Sequence, residues 1–404
     1  MSDPFIKRVT IRNYKSIAAC RVELGPLMFL VGPNGSGKSN FLDALRFVAD
    51  ALRISLDFAL RDRGSIKEVR RRSGGHPTHF SLRLDFGLPS GQDGHYAFRV
   101  GAKPAGGFEV QIEECRIRTV MRPDAYFRID RGTVADASFS PHPAALPDRL
   151  FLVAASGIPE FRPIFDGLSA IEVYNFNPGA IGGMQSPDPG DILRRDGGNA
   201  ASVWQRLPEE IRDLIVSDIG RIAPGIAGID YRALGSRETV EFRQAVHGQD
   251  HPWRFQADSM SDGTLRAFGV LLALYQGSVA SEHLRRPLTV GMEEPETALH
   301  PAAARILLGA LRDGSRRCQV LVTSHSPDLL DDPDILSDSL LAVENHEGAT
   351  RIGPIDDAGI EMMKERLFTP GELLRQSQLT PADATLSDVR KERQLAMFDK
   401  EGAP

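Results

Sequence analysis

The stretch VGPNGSGKSN, residues 31–40, decides what kind of fold this chain can form. It completes the pattern G-x-x-x-x-G-K-[ST], in which glycines let successive backbone N–H groups turn inward toward phosphate oxygens. An apolar strand-like run, LMFLV at residues 27–31, precedes it, and a helix-like pattern through Phe41, Leu45 and Val48 follows. This strand–loop–helix context favours a phosphate-binding loop over an ordinary glycine-rich turn.

The polar positions of the loop predict how a nucleotide would be held. Lys38 can reach the β- and γ-phosphates, and the Ser39 hydroxyl can ligate Mg²⁺. The helix that follows adds the positive end of its dipole. The predicted nucleotide-binding residues are Asn34, Gly35, Ser36, Gly37, Lys38, Ser39 and Asn40.

The composition is ordinary for a soluble globular protein. The chain has 404 residues, 41% of them hydrophobic and 25% charged, which allows a large core and two domains. A net charge of -6 does not indicate a globally basic nucleic-acid binder, although it leaves room for a local basic patch. Cys20, Cys115 and Cys318 have neither metal-ligand spacing nor a disulfide pattern, which fits a cytoplasmic location. We expect neither a signal peptide nor a membrane span.

The succession of strand and helix patterns predicts an α/β fold. Paired strands are expected near the N-terminus, and strict alternation at residues 80–86 predicts a half-buried strand. Residues 288–292 and 319–323 read as strands on either side of a helix at 301–311, the pattern of a parallel sheet. The Pro- and Gly-rich residues 121–190 predict long loops with short helices. A helical segment at 200–222 and strands at 231–255 complete the pattern.

Three distant motifs add chemistry to the loop. Glu293 and Glu294 follow a predicted buried strand, where the first can hold a Mg²⁺ shell and the second can orient a water at the γ-phosphate. A surface acidic turn is the alternative, and the phosphate loop makes it the weaker one. His325 ends the next strand, at the edge of the sheet where ligands collect in open α/β folds.

The third motif is SDGT, residues 261–264, directly before an apolar helix. Ser or Asp is the expected helix cap at this place. The open question is whether that helix N-terminus also faces a phosphate.

In this order, the motifs resemble the ABC-type ATPase heads of the SMC and RecF group. They are most similar to the compact bacterial ATPases related to the OLD family. IRNYKSI (11–17) is similar to the family's first strand and turn, SDGT to its signature, and EEPETALHP (293–301) to its Walker B and D-loop. His325 matches its switch histidine. The resemblance covers residues 1–115 and 250–350, with looser phrases at YNFNP (174–178) and RDGGN (195–199).

The resemblance implies a P-loop NTPase fold of the ABC-head type. Its parts would be a mixed and parallel central sheet, an antiparallel β lobe and an inserted, partly helical lobe. The implied domains are an N-terminal half-head with Walker A, a lid, a C-terminal half-head with the other motifs, and a tail. Their expected bounds are 1–115, 116–250, 251–365 and 366–404.

The implied activity is hydrolysis of ATP with Mg²⁺ between two heads. Ser39 and Glu293 would hold the metal, Glu294 would position the water, and His325 would stabilise the γ-phosphate. The signature residues would touch the nucleotide of the other subunit; they are Ser261, Asp262, Gly263 and Thr264. The expected self-association is an ATP-dependent homodimer or a higher oligomer.

Two departures from the family pattern stand out. Glu293 occupies a position where many ABC heads have Asp. Gln92 and Gln111 are candidates for the Q-loop glutamine, but neither has a specific sequence context.

The rest of the chain suggests what an ATPase of this kind would control. The interval 116–250 is too short and too rich in Pro and Gly for a coiled-coil arm. The tail after His325 is too short for a Toprim nuclease, so we expect a separately encoded effector, such as a nuclease, in anti-phage defence. A RecF-like DNA repair ATPase and a nucleotide-gated assembly scaffold are the alternatives.

Two surface segments are candidates for partners. The first is a basic cluster that either contacts DNA or forms a solvated face: Lys67, Arg70, Arg71 and Arg72. The second is a weakly amphipathic tail that is either an interaction helix or frayed: Leu386, Val389, Ala396, Met397 and Phe398.

Overall fold

The structure is a computed structural model that describes residues 4–73, 77–119, 123–249, 251–276, 287–382 and 397–398. The chain divides into two compact units. The loop unit, named for residues 31–40, comprises Asp3–Ile171, Ser337–Glu361 and Leu379–Pro404. The carboxylate unit, named for Glu293 and Glu294, comprises Met1–Ser2, Glu172–Leu336 and Met362–Gln378.

Strands and helices alternate within the described ranges as expected for an α/β protein. The strands are β1 (Ile6–Tyr14), β2 (Ile17–Glu23), β3 (Leu27–Val31), β4 (His79–Gly87), β5 (Asp93–Ala102), β6 (Phe108–Arg118), β7 (Ala125–Asp130), β8 (Thr133–Ala137), β9 (Glu172–Tyr174), β10 (Ile226–Leu234), β11 (Arg237–Gln244), β12 (Trp253–Gln256), β13 (Thr289–Glu293), β14 (Gln319–Ser324), β15 (Leu340–His346) and β16 (Ala349–Pro354). The helices are α1 (Lys38–Arg53), α2 (Leu56–Arg61), α3 (Ile66–Val69), α4 (Leu152–Ala155), α5 (Arg162–Ser169), α6 (Pro178–Gly182), α7 (Ala200–Arg206), α8 (Glu209–Ile222), α9 (Asp262–Tyr275), α10 (Pro301–Gly314), α11 (Pro327–Leu330), α12 (Asp357–Lys364) and α13 (Pro370–Arg375).

The loop unit contains a mixed sheet with the order β8-β7-β6-β5-β4-β1-β2-β16-β15-β3. Neighbours from β8 to β2 run antiparallel. Strand β16 pairs in parallel with β2, and β15 pairs in parallel with β3. The predicted antiparallel lobe is therefore continuous with the parallel pairing that holds the strand before the phosphate loop.

An aromatic cluster forms part of the core of the loop unit. Phe80 on β4 and Phe98 on β5 lie on the buried face of the sheet, and Phe47 of α1 packs against both. Tyr14 completes the cluster, with ring centroids 6.0 Å from Phe47 and 5.7 Å from Phe80. Edge-to-face contacts at these distances add to the stabilisation from burial. They fix the helix that starts at Lys38 against the sheet.

The carboxylate unit contains three parallel strands in the order β14-β13-β9. Strand β14 is buried along its whole length, and β13 is buried up to Glu293. Continuous burial is typical of parallel strands covered on both faces. A separate antiparallel sheet has the order β10-β11-β12.

Most predicted elements are confirmed, and two differ. Residues 121–190 contain β7, β8 and β9 in addition to short helices. Strand β8 is a largely exposed edge strand and β9 has three residues, so neither produces a clear alternating pattern. The helical segment at 200–222 is two helices, because Pro208 lacks the N–H that a continuous helix would need.

Within the described part of the chain, no helix is both long and apolar enough to cross a membrane.

Candidate functional site

Two glycines let the backbone of the phosphate loop approach neighbouring strands closely. A Cβ on Gly32 would lie 2.0 Å from the carbonyl oxygen of Val343, and one on Gly37 would lie 2.0 Å from Oγ1 of Thr350. Gly37 also has φ +105°, a conformation that side chains disfavour. The glycines of the motif are therefore required by packing as well as by backbone conformation.

The interior of this loop contains an unsatisfied polar group. Lys38 is buried, and its Nζ donates to the carbonyl oxygens of Gly32 (2.8 Å) and Pro33 (3.0 Å). The hydroxyl of Ser36 is also buried and has no hydrogen-bond partner among the described residues. A buried hydroxyl without a partner is costly. This orphaned donor beside a lysine fits a ligand that brings phosphate oxygens.

A network of hydroxyl groups on neighbouring segments holds the backbone of the loop. Thr350 Oγ1 donates to the carbonyl oxygen of Ser36 at 2.9 Å and lies 2.6 Å from Ser16 Oγ. Asn40 Nδ2 donates to the same Ser16 hydroxyl at 2.6 Å. Sequence reasoning missed Thr350, which lies 314 positions from Ser36 and belongs to no motif.

At the end of β13, the chain turns sharply and presents Glu294. This residue has φ +45°, unusual outside glycine, and its N–H donates to the carbonyl oxygen of Thr323 at 3.0 Å. Its Oε1 lies 3.0 Å from Nδ1 of His325, and both side chains are partly exposed. The two predicted catalytic residues thus form a pair at the carboxyl ends of neighbouring parallel strands. Strained backbone of this kind is common at functional sites.

Glu293 has a partner that the sequence did not identify. Arg195 Nη2 donates to Oε1 of Glu293 at 2.9 Å, with the carboxylate side chain 14% exposed. The backbone carbonyl of Arg195 accepts from the N–H of Asn175, directly after β9. The phrase RDGGN (195–199) is similar to the family, but this resemblance does not predict that Arg195 pairs with Glu293.

Glu296 also belongs to the acidic motif, and the sequence predicts no role for it. It is buried, and Ser324 Oγ donates to its Oε1 at 2.5 Å. Its other oxygen has no hydrogen-bond partner within the described ranges. Burial raises the pKa of this carboxyl, partly offset by the hydrogen bond from Ser324. Glu296 is therefore a buried carboxyl held by Ser324, the residue before His325.

The SDGT motif caps helix α9 as its residue types predict. Ser261 Oγ accepts from the N–H of Thr264 at 3.2 Å and lies 2.8 Å from its hydroxyl. Ser261 and Asp262 are exposed, whereas Gly263 is buried. A Cβ on Gly263 would lie 2.3 Å from the carbonyl oxygen of Ala298, so the signature packs on the D-loop through this glycine.

An open cleft of about 740 Å³ lies in the carboxylate unit at the end of β9. Its lining is mostly polar and includes three arginines: Asn175, Phe176, Asn177, Pro178, Arg194, Arg195, Asp196 and Arg266. Arg266 lies on α9, one turn beyond Asp262, and its Nε is buried without a partner in the described structure. Burial lowers the pKa of Arg266, while Asp262, Glu294 and Glu296 oppose that shift. The cleft therefore lies beside both acidic and signature residues.

The predicted DNA-contact residues are mostly engaged in the fold. Arg70 Nη1 donates to the carbonyl oxygen of Pro77 at 2.6 Å, and Arg71 is half-buried with its pKa lowered by burial. Arg72 pairs with Glu68 on the surface, and Lys67 is exposed. This arrangement offers fewer available cations than the sequence cluster suggests, and contact with DNA stays a prediction.

Both candidate Q-loop glutamines lie in the antiparallel part of the sheet of the loop unit, among strands β4 to β6. Gln92 is in the turn between β4 and β5, where its Oε1 accepts from Ser90 Oγ at 3.2 Å. Gln111 lies on β6, with its amide packed against Gly101. Neither position assigns the Q-loop role, which stays open.

The residue types of the two predicted metal ligands, one in each unit, suit a metal that arrives with a nucleotide. Among the residues the structure describes, no group of three or more His, Cys, Asp or Glu side chains could hold a metal ion. Mg²⁺ characteristically binds through one or two protein oxygens, phosphates and waters, rather than in an all-protein cage. The exposed Ser39 and the carboxylate of Glu293 are oxygen ligands of the required type.

Two protein families match separate parts of the chain. The family described as "AAA domain, putative AbiEii toxin, Type IV TA system" matches residues 157–331. The family described as "AAA ATPase domain" matches residues 5–87. The matched segments contain the phosphate loop and, separately, the signature, acidic and histidine motifs.

Two curated bacterial proteins are similar over shorter stretches. The chromosome partition protein Smc of Desulfitobacterium hafniense (strain Y51) is 54% identical over 46 residues, or 11% of this chain and 4% of that protein. The DNA replication and repair protein RecF of Magnetococcus marinus is 29% identical over 135 residues, or 31% of this chain and 33% of that protein. The matched stretches thus span about a third or less of the length of these curated relatives.

Solved structures of Smc heads share the fold. The SmcHead bound to the C-winged helix domain of ScpA superposes with TM-score 0.56 at 13% identity, covering 88% of this chain and 99% of that chain. The Smc head domain with an extended coiled coil, bound to the C-terminal domain of ScpA from Pyrococcus furiosus, gives TM-score 0.54 at 12% identity, covering 90% and 99%. The chain therefore matches AAA-family ATPase domains over two segments, shares the fold of the Smc heads, and is similar to RecF over part of its length.

Proposed function

We propose that this protein binds and hydrolyses ATP with Mg²⁺, and that ATP holds two copies of the chain together. The observation that carries the proposal is the unsatisfied interior of the phosphate loop. Lys38 and the orphaned hydroxyl of Ser36 lie there as donors, on a loop whose glycines allow it to pack closely on Val343 and Thr350. Among the described residues, the buried Ser36 hydroxyl has no hydrogen-bond partner.

The residues would divide the work as follows. Lys38 and the loop N–H groups bind the phosphates, and Ser39 with Glu293 holds the metal. Bound Mg²⁺ supplies neutralisation of the phosphate charge. Glu294 orients and deprotonates the attacking water, and His325 donates toward the γ-phosphate. The 3.0 Å contact between Glu294 and His325 supports this pairing of roles.

Glu293 would hold the metal either beside its ion pair with Arg195 or in place of it. The ion pair occupies one oxygen of the carboxylate. Ligation of Mg²⁺ would therefore either use the second oxygen or displace the arginine. Arg195 in this way sets how much Mg²⁺ the protein needs.

The signature would act on the nucleotide of a second copy. Ser261 and Asp262 are exposed at the N-terminus of α9, whose dipole favours an anion. The Ser261 hydroxyl, which accepts from Thr264, can donate its own proton to a phosphate oxygen. ATP would then be shared between two heads, and its hydrolysis would loosen the dimer.

A nucleotide-driven cycle of this kind suits control of an effector protein. We propose a separately encoded effector, such as a nuclease, in anti-phage defence. The match to a family whose description names a toxin of a type IV toxin–antitoxin system supports a defence role. Affinity purification from the native host with mass spectrometry would identify the partner; recovery of the chain alone, with and without ATP, would contradict this role.

A RecF-like function in DNA repair is the second candidate. The 29% identity to RecF over 135 residues favours it. It requires DNA binding that weakens steeply with salt, because phosphate contacts release counterions. Absence of salt-sensitive DNA binding in the ATP-bound protein would count against it.

ATP turnover by the purified chain tests the central proposal. We expect phosphate release that requires both ATP and Mg²⁺ and is lost in Lys38→Ala. The matched control is Lys67→Ala, which removes an exposed lysine outside the loop. Equal turnover in wild type and Lys38→Ala would show that the activity does not belong to this loop.

A further inference from the structure

Two residues late in the sequence, Met397 and Phe398, lie on the outer face of β4 and β5. Arg83 Nη1 on β4 donates to the carbonyl oxygen of Met397 at 3.3 Å. The guanidinium of Arg99 on β5 lies 5.3 Å from the ring centroid of Phe398. Met397 is only 3% exposed. These two residues therefore form a docked segment within the loop unit, whereas the predicted tail residues Leu386, Val389 and Ala396 lie outside the described residues.

The docking face is polar but unusually well covered. Ser81 lies opposite Arg99, and Arg83 lies opposite Ala97, on the side of the sheet away from Phe80 and Phe98. Side chains on the solvent face of an antiparallel sheet are normally exposed. Here Ser81 is 1% exposed. A covered polar face indicates that chain packs over it, and Met397 and Phe398 do so at Arg83 and Arg99.

The two docked side chains match what the face offers. The Met397 side chain is unbranched and adapts to irregular gaps. The Phe398 ring presents its face to a cation that is already oriented, since Arg99 Nε also donates to Ser81 Oγ at 3.3 Å. Burial lowers the pKa of Arg99, which is consistent with a guanidinium enclosed by protein.

We propose that this face of β1, β4 and β5 is a binding site for a short peptide segment with the chemistry Met-Phe. Its occupant is the chain's own tail, bound in cis. Residues 383–396 connect Ala382 to the docked pair and can span at most about 50 Å. A tether of this length gives the tail an effective concentration in the millimolar range. The site is therefore closed to other peptides of the same kind until the tail is displaced.

Binding of a labelled tail peptide to the full chain tests the site. The probe is a fluorescent peptide of residues 392–404, and fluorescence anisotropy measures its dissociation constant. Met397→Ser with Phe398→Ser in the full chain empties the site without touching its wall. We expect this double variant to bind the peptide at least about tenfold more tightly than wild type, because the competing tail is lost.

Three controls locate the binding. Arg99→Gln, added to the double variant, should weaken peptide binding about tenfold. Arg118→Gln is the matched control, since it removes an exposed arginine of the same sheet that pairs with Asp93, and it should leave binding unchanged. A peptide carrying the same two serine substitutions should not bind.

Three results would overturn the proposal. The first is failure of the peptide to bind the double variant, and the second is equal binding to wild type and double variant. The third is a nucleotide-free wild type that is dimeric by light scattering while the double variant is monomeric, because the tail would then dock in trans. Neither readout depends on ATP binding.

Discussion

His325 Nδ1 lies 3.0 Å from Oε1 of Glu294, although the two residues belong to different strand–turn segments. Strands β13 and β14 are parallel neighbours in register, with Glu293 opposite Thr323. The residues that follow each strand therefore emerge side by side. The N–H of Glu294 donates to the carbonyl oxygen of Thr323, which fixes the turn that presents the carboxylate. The histidine and the carboxylate are thus positioned by the sheet itself.

Glu294→Gln should separate ATP binding from ATP hydrolysis. The amide keeps the size of the side chain but cannot accept a proton from water, so we expect phosphate release to fall at least about 100-fold. ATP binding should persist, and the ATP-bound dimer should accumulate because hydrolysis no longer dissolves it. Phosphate release and light scattering with ATP measure the two effects.

Glu210→Gln is the matched control for this variant. It makes the same chemical change at an exposed position of α8 and should leave both measurements at the wild-type value. If Glu294→Gln hydrolyses ATP at the wild-type rate, Glu294 does not act on the water. If Glu294→Gln does not dimerise with ATP, the proposal that ATP holds two copies of the chain together is wrong.

Arg195→Gln should lower the Mg²⁺ concentration needed for ATP turnover. The ion pair with Glu293 withholds a carboxylate oxygen from the metal, and a partly exposed pair contributes up to about 1 kcal/mol. Its removal should therefore shift the midpoint of a Mg²⁺ titration to a concentration about two- to fivefold lower.

Arg194→Gln is the neighbouring control for the Mg²⁺ titration. Arg194 has similar exposure but pairs with Asp188 at 2.8 Å, so its loss removes one positive charge without freeing Glu293. An unchanged or higher midpoint for Arg195→Gln would mean that the arginine does not compete with the metal.

Features that depend on neighbouring residues could be predicted from the sequence. The phosphate loop and the Ser261 cap are each built from consecutive residues, so spacing and residue type determine them. Strands β13 and β14 were also predictable, because continuous apolar runs around a helix are typical of parallel strands. The Glu294–His325 contact follows from these elements together with the family resemblance.

Features that depend on distant pairing could not be predicted in the same way. Arg195 meets Glu293 across 98 positions, and no rule of local spacing connects them. Thr350 supports the loop at Ser36 from 314 positions away. The docked position of Met397 was missed because an amphipathic pattern indicates that a segment can bind, but does not indicate where. In each case the tertiary fold, rather than local propensity, chooses the partner.

Ser261→Arg should prevent closure of the dimer while leaving ATP binding by the single chain intact. The serine is exposed at the start of α9, so a large side chain fits there and obstructs a second head, although loss of the helix cap should lower stability by about 1 kcal/mol. We expect light scattering with ATP to report a monomer and ATP affinity to change less than about threefold. Ser259→Arg is the control, an equally large change at an exposed residue just before the motif. Loss of ATP binding by the Ser261→Arg monomer would argue that the signature acts in cis.

Glu113 makes the stability of the loop unit depend on pH. It is fully buried on β6, where it accepts from the N–H groups of Phe151 (2.5 Å) and Leu152 (2.9 Å) and from the hydroxyl of Tyr96 (2.9 Å). Burial raises the pKa of Glu113 to about 7, against the pull of these three donors. The folded state therefore holds this proton more tightly than the unfolded chain does. The stabilisation is complete below the unfolded pKa of about 4.5 and is lost as pH rises through about 7.

Glu113→Gln should remove this dependence, because its amide does not titrate. Urea unfolding at pH 5, 6, 7 and 8 measures the free energy of unfolding of both proteins. The variant loses one acceptor and should be less stable than wild type at pH 5 by about 1–3 kcal/mol. As pH rises to 8, the free energy of unfolding of wild type should fall by about 3 kcal/mol relative to the variant, since only wild type then carries a buried charge. The deficit of the variant should therefore shrink or reverse. Glu160→Gln, at an exposed position, should follow wild type throughout. A stability difference between wild type and Glu113→Gln that is constant across this pH range would show that Glu113 does not titrate in the folded protein.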